Sequence, residues 1–340
     1  MRRIKLKNGK SYQLRPSFMM PYMIARTDEV EKALYLRRWG VPFEALVYVF
    51  GRDSMFWYRA YVSIGRNSIV GTTIKNHDLL PEHLVADEKH TRINGEKAFV
   101  ATTVAKECIL GAELTMSAGT KALIMGYLPF KEEACNLFPD YQPKTVNTDG
   151  WEPTRSAWKT LFPGITLFLC FLHSVLKITQ RCKRSKQLLS DIKEKVWNVY
   201  HAITPAQFSQ RIRRLREWAQ TIPLEPVKEK VLDLCGKAQE FKKTFEHPQA
   251  YRTSNALDRL MDYQDRLLYA MRYFHRDSDS AILYLRSMAL IWNFHPYCTR
   301  ISHKDSVVRA SPFRVLNGFH YHKNWLHNML VAASMGGWKS

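Results

Sequence analysis

Acidic residues are scarce. Against 51 lysines and arginines, the 340 residues include only 31 aspartates and glutamates, a formal net charge of +20. So basic a balance points to a polyanion or an anionic membrane surface as partner. Long apolar runs are missing as well. The longest fall far short of the roughly 20 residues that span a bilayer, so membrane residence is not expected and nucleic acid is the simplest partner. The start, MRRIKLKNGK, is basic but no apolar core follows it, so no cleaved leader is expected. Six cysteines, at 108, 135, 170, 182, 235 and 298, contain no Cys-x-x-Cys pair. That excludes a disulfide scaffold and suits a reducing cytoplasm. Cys170-x-x-His173 and His295-x-x-Cys298 carry the ligand types of a zinc site, yet loose pairs this far apart arise by chance. Cys170 reads instead as a packed residue at a buried strand end, with His173 opening the next helix near the acids.

What is present is organised around 143–173. Residues 144–148 form a short β-prone run ending at Asp149-Gly150, and an acid at the carboxyl end of a strand stands where open α/β sheets bind ligands. Helical spacing of Ala157, Trp158, Leu161 and Phe162 predicts a helix over 151–162, stopped by Pro163-Gly164 before a second apolar run at 165–170. An Asp-Gly pair is first of all a turn signal, so a partner acid is needed. Upstream, 83–93 reads as a strand with Asp87 in its middle, followed by an Asn94-Gly95 turn and strands over 97–104 and 108–115. A charged residue inside such a run is disfavoured unless the charge is used or solvated, which makes Asp87 the second acid.

With a helix over 121–138, the order becomes β-β-β-α-β-α-β, which looks like an RNase H-like fold. The runs VADEKHTRINGEKAFVATTVAKECILGAEL, TVNTDGWEPTRSAWKTLFPGITLFLCFLH and RTSNALDRLMDYQDRL resemble DDE transposases of bacterial insertion sequences. The Cys170-x-x-His173 pair is similar to a signature of their Mutator-like branch. The resemblance covers roughly 79–298. It implies a third acid at Asp258, on a helix whose Asp258, Asp262 and Asp265 form one stripe. Without the resemblance that stripe would read as a solvated face paired with Arg259 and Arg266; Asp262, one turn on, is the alternative third acid. The family usually carries Glu there, one methylene longer. Three converging carboxylates repel one another unless divalent cations join them, so two Mg²⁺ or Mn²⁺ ions are implied.

The remainder is helical and basic. Residues 1–26 form a basic arm, read as a solvated tail. Residues 27–80 read as helix, short helix, tight turn, helix: a helix-turn-helix domain with Arg52, Arg59 and Arg66 offered to DNA. The core, 81–175, is followed by a basic helical insertion at 176–250, where Arg181, Arg184, Arg211, Arg213, Arg214 and Arg216 suit a phosphate backbone. The last catalytic helix and a C-terminal helical region fill 251–340; His320, His322 and His327 there match no metal spacing. The fold class expected is therefore α/β, an RNase H-like mixed sheet interrupted by helices, behind an all-α N-terminal domain. The resemblance implies a transposase cleaving and joining double-stranded DNA, as a dimer or larger assembly, in the cytoplasm and at the nucleoid. A metal-dependent nuclease of the same fold, or a catalytically decayed DNA-binding derivative, would share most of these features.

Overall fold

In the computed structural model, which describes residues 2–7, 9, 11–16, 18–21, 23–182, 185–275, 277–297 and 310–336, the chain begins with two short strands, β1 (Arg2–Lys5) and β2 (Ser11–Leu14). They pair antiparallel from Arg2↔Leu14 to Lys5↔Ser11, and Gly9 closes the turn at φ 81° with its N–H on Leu6 O. The basic arm is thus a hairpin and not a structureless tail. Helices α1 (Thr27–Arg38), α2 (Phe43–Phe50), α3 (Ser54–Ser63) and the short α4 (Ile69–Thr73) follow. Asp53 caps α3 by accepting the Phe56 N–H at 2.7 Å, as its position before an apolar-periodic run predicts.

Three antiparallel strands come next: β3 (His83–Ile93), β4 (Glu96–Ala105) and β5 (Cys108–Thr115). Then come α5 (Thr120–Leu137), β6 (Thr145–Thr148), α6 (Glu152–Leu161) and β7 (Thr166–Leu169). The five strands form a single mixed sheet in the order β5-β4-β3-β6-β7, with β6 parallel to both β3 and β7. Along β3 the side chains alternate between faces. Leu84 and Ala86 enter a core with Leu123, Phe130 and Trp158 of α5 and α6, while Val85 enters the core on the other face.

That other face is covered from late in the sequence. Five helices, α7 (Phe171–Arg181), α8 (Lys186–Tyr200), α9 (Pro205–Ala219), α10 (Glu225–Gly236) and α11 (Ala238–Lys242), intervene first, and they bury a core of their own around Ile178, Val196, Phe208 and Val231. The chain leaves and re-enters at one place, where Phe171 N donates to Arg252 O at 3.2 Å. Helices α12 (Asn255–Ala270), α13 (Ser278–Phe294), α14 (Pro312–Asn317) and α15 (Trp325–Gly336) complete the chain. Of these, α12, α13 and α15 join α1–α3 and the sheet in one core that includes Leu34, Trp57, Val85, Leu260, Leu285 and Leu326.

Two details lock this core. A Cβ on Gly65 would stand 2.0 Å from Leu283 O, so only glycine lets the end of α3 lie against α13. Beside it the Arg286 side chain, 2% exposed, donates to Gly65 O and Asn67 O at 2.9 Å and pairs with Glu133 of α5. Glu133 in turn accepts from Ser68 Oγ and Val70 N. None of the described helices is long and apolar enough to cross a membrane.

Candidate active site

Asp87 lies in mid-β3, level with Thr102 of β4. On its other side β6 runs parallel with Val85 against Asn147. The ladder ends at that pair; two residues further along each chain stand Asp87 and Asp149, the latter just past the end of β6. Asp149 takes a tight turn in which its carboxylate accepts the Trp151 N–H at 2.7 Å. Gly150 is required here: it sits at φ 90°, and a Cβ would meet Leu169 Cδ1 at 2.3 Å.

The two carboxylates are felt by their neighbours. Glu88, turned to the opposite face and 9% exposed, accepts from Tyr127 Oη at 2.6 Å and Thr154 Oγ1 at 2.8 Å. Burial, opposed by those two hydrogen bonds and assisted by the Asp87 and Asp149 charges, raises its pKa to about 7. His173, in the first turn of α7, is held up at about 9: its hydrogen bond with Cys170 favours the charged ring, burial opposes it, and Asp87 and Asp149 favour it again. Burial raises the Cys170 thiol, but hydrogen bonds with His173 and Ser254 more than offset this and leave it below its usual value.

Cys170 does more than pack. Its Sγ accepts the Ser254 N–H at 3.2 Å and donates to Ser254 Oγ at 3.3 Å, tying the end of β7 to the start of α12. The Ser254 side chain makes no capping hydrogen bond to α12. Just upstream, Asn147 Nδ2 donates to Tyr251 O, and the Lys106 N–H to Tyr251 Oη. Farther along α12, buried Gln264 donates to Thr102 Oγ1 at 3.2 Å, directly across the ladder from Asp87.

Of the α12 acids, Asp265 forms an ion pair with Lys89 of β3, and Asp262 is exposed. Neither pairs along the helix with Arg259 or Arg266 among the described residues; Arg266 lies over the Trp39 ring. The side chain of Asp258 lies outside the described residues. Its helix position is two turns before Asp265, about 10 Å nearer the end that Cys170 holds. Among the described residues no three His, Cys, Asp or Glu side chains gather closely enough to hold a metal. Asp87 and Asp149 nonetheless suit a hard divalent cation: all-oxygen donors, close enough together to raise Glu88, on two adjacent strands. Of the zinc pairs considered from sequence, His295 is enclosed by the Tyr35, Trp39 and Trp325 rings, and Cys298 lies outside the described residues.

No protein-family model matches the chain, and no curated protein matches it at a significant level.

Both signs of charge meet beside Asp149. A cleft of about 300 Å³ there is lined by Arg155 of α6, Lys177 of α7 and Lys237 next to α10, together with Glu152 and Glu240. The folding of the insertion back onto β7 brings Lys177 and Lys237 in beside Arg155. Arg52, Arg59 and Arg66 are exposed, with Arg52 3.7 Å from Glu29 and stacked over Phe56. On the insertion, Arg181 and Arg214 are exposed and Arg184 lies outside the described residues. The others are partly committed: Arg211 donates to Asn198 O, Arg216 to Cys235 O, and Arg213 stands 3.9 Å from Glu217.

Proposed function

We propose that this chain is a DNA transposase of the DDE type, cleaving and joining strands by in-line phosphoryl transfer. The observation that carries the reading is the parallel register of β3 with β6, ending at Val85 against Asn147, with Asp87 and Asp149 each two residues beyond it and both acting on Glu88 and His173. The strand order, an antiparallel meander flanked by two parallel strands on the side of its first member, supports an RNase H-like core. Helices α2 and α3, joined by the Gly51 turn and followed by exposed Arg59 and Arg66, support a helix-turn-helix that reads the element ends.

Asp87, Asp149 and Asp258 would hold two Mg²⁺ or Mn²⁺ ions, which when bound supply activation of the attacking oxygen and stabilisation of the leaving one. The chain's own residues do the rest. Asp87 and Asp149 are fixed by the sheet and by the Asp149 turn. Cys170 and Gln264 hold α12 at the sheet. Arg155, Lys177 and Lys237, which share the cleft beside Asp149 with Glu152 and Glu240, would contact a phosphodiester backbone, and the exposed arginines of the insertion extend that surface. Two DNA ends handled together imply a dimer or larger assembly.

The test is a cleavage and strand-transfer assay on the inverted repeats flanking the gene, with Mg²⁺ or Mn²⁺. The parent is expected to cut and join, while Asp87→Ala, Asp149→Ala and Asp258→Ala each stop cleavage and keep DNA binding. Cutting without any joined product assigns the chain to the nucleases. Binding without cutting under either metal makes it a decayed derivative, a reading favoured by one feature, the shorter Asp in place of the family's Glu at 258.

A further inference from the structure

A second cavity lies away from the acids. It measures about 620 Å³ and opens between the N-terminal helices and the connection from α12 to α13. That size suits a ligand of a few hundred daltons. Its walls are aromatic: Phe43 of α2, Tyr58 of α3, Tyr273 and Phe274 of the connection, and Tyr284 of α13.

A cation is buried in that wall. Arg37 is 1% exposed; its guanidinium donates to Val41 O at 2.9 Å and Tyr284 Oη at 2.6 Å, both neutral, and its Nε has no partner. The Phe43 ring, 4.5 Å from the guanidinium carbon, covers one side of it, and the idle Nε–H is costly to bury unless an acceptor comes to it. Exposed Arg272 lines the same cavity and adds positive charge at its mouth, with Asp277 also on the lining.

The backbone there is also held in a costly shape. Arg272 and Tyr273 sit consecutively at φ 53° and 68°, the left-handed region that a bulky residue rarely enters. Tyr273 N–H is taken by Leu268 O, and Phe274 is clamped to the base of the β3–β4 hairpin by Phe274 N to Arg92 O and Asn94 N to Phe274 O. Glycine would occupy this turn without strain, yet the chain places a tyrosine facing the cavity; such outliers concentrate at ligand sites.

Aromatic walls take the faces of a flat heterocycle, and the buried Arg37 guanidinium with exposed Arg272 takes its phosphate. The exposed carboxylate of Glu44, on the same lining, can accept from an exocyclic amine, which adenine, guanine and cytosine carry and thymine lacks. We propose that this cavity binds a nucleoside monophosphate unit, as a free nucleotide or as an unstacked residue of a DNA strand, with its base among Phe43, Tyr58 and Tyr273 and its phosphate toward Arg37. The site is independent of strand cleavage, and Asp149→Ala is expected to bind as the parent does.

The test titrates the full chain with 2-aminopurine riboside monophosphate and with a short single-stranded oligonucleotide carrying one 2-aminopurine, following fluorescence quenching. Saturable quenching of either probe is expected. The tighter of the two identifies the source, and displacement by unlabelled AMP should be at least fivefold stronger than by TMP. Tyr273→Gly relieves the backbone strain, so it should melt no lower than the parent while binding at least tenfold more weakly; Tyr58→Ala should weaken binding similarly. Absence of saturable quenching with both probes, or parental affinity in both variants, overturns the proposal while leaving any cleavage at Asp87 and Asp149 untouched.

Discussion

Replacing Arg286 by Met asks how firmly the two ends of the chain are fastened. Methionine keeps the length and apolar stem of arginine, so little cavity forms and the loss is mainly electrostatic. The substitution leaves Glu133 buried at 6% exposure without its cation, and leaves Gly65 O and Asn67 O without their donor. Breaking a buried ion pair from one side costs about 3–5 kcal/mol, and each carbonyl left unpaired adds about 1 kcal/mol or more. The Ser68 and Val70 donors that remain on Glu133 recover part of this, so the net loss should be about 5 kcal/mol, a large share of the 5–15 kcal/mol typical of a domain. Urea unfolding followed by tryptophan fluorescence measures it. Adding Glu133→Gln should recover roughly 1–3 kcal/mol, since the nearer uncompensated charge is then gone and only Glu113, 3.9 Å from Arg286, keeps its own. A loss below about 1 kcal/mol for Arg286→Met, or no recovery in the double variant, would refute the claim that this pair joins α13 to α5 and to the segment after α3.

Glu88→Gln should abolish a pH dependence. The folded carboxyl titrates near 7 against an ordinary 4.5, so its contribution is complete below 4.5 and lost as pH rises through 7; the variant should match the parent at pH 4 and exceed it by up to about 3 kcal/mol at pH 8 in urea unfolding. Cys170→Ala strands the Ser254 N–H and should cost about 1–3 kcal/mol. It should also speed amide exchange in the first turn of α12 and return the His173 titration, read by NMR, from about 9 toward 6.5. Arg214→Ala, on an exposed side chain, should flatten the slope of log affinity against log salt by about 0.9 on specific and random DNA alike; Arg216→Ala, whose guanidinium is docked on Cys235 O, should flatten it less.

Much of the sheet could be read directly. Strands and helices from 83 to 170 lie within a residue or two of their expected bounds, because period-two and period-3.6 patterns there are reinforced by Asn94-Gly95, Asp149-Gly150 and Pro163-Gly164. Asp87 stood out as a charge inside a β-prone run, but its placement relative to Asp149 depends on pairing across 62 residues, from Val85 to Asn147, which no local pattern encodes. The hairpin of β1 and β2 was missed although Asn8-Gly9 is a turn signal, because a run of lysines and arginines dominated the reading of the arm. Local spacing cannot show that a thiol 84 residues earlier meets the Ser254 hydroxyl. In the same way, the spacing of Arg211 and Arg216 showed charge on a helix, but not that both guanidinium groups would reach neighbouring main-chain carbonyls.

The meeting of Phe171 with Arg252 changes what the helical insertion does for the rest of the protein. Were the roughly 80 residues between them a floppy tether, bringing α12 back to the sheet would carry a closure entropy of (3/2)RT ln n, about 4 kcal/mol. Because α7–α11 bury a core of their own, the insertion already holds its two ends together, and much of that entropy is lost within it and not in the docking of α12. The basic bundle is then also a clamp. Loosening its core, for instance at Val196 or Phe208, should show up far away as weaker docking of the helix that carries position 258.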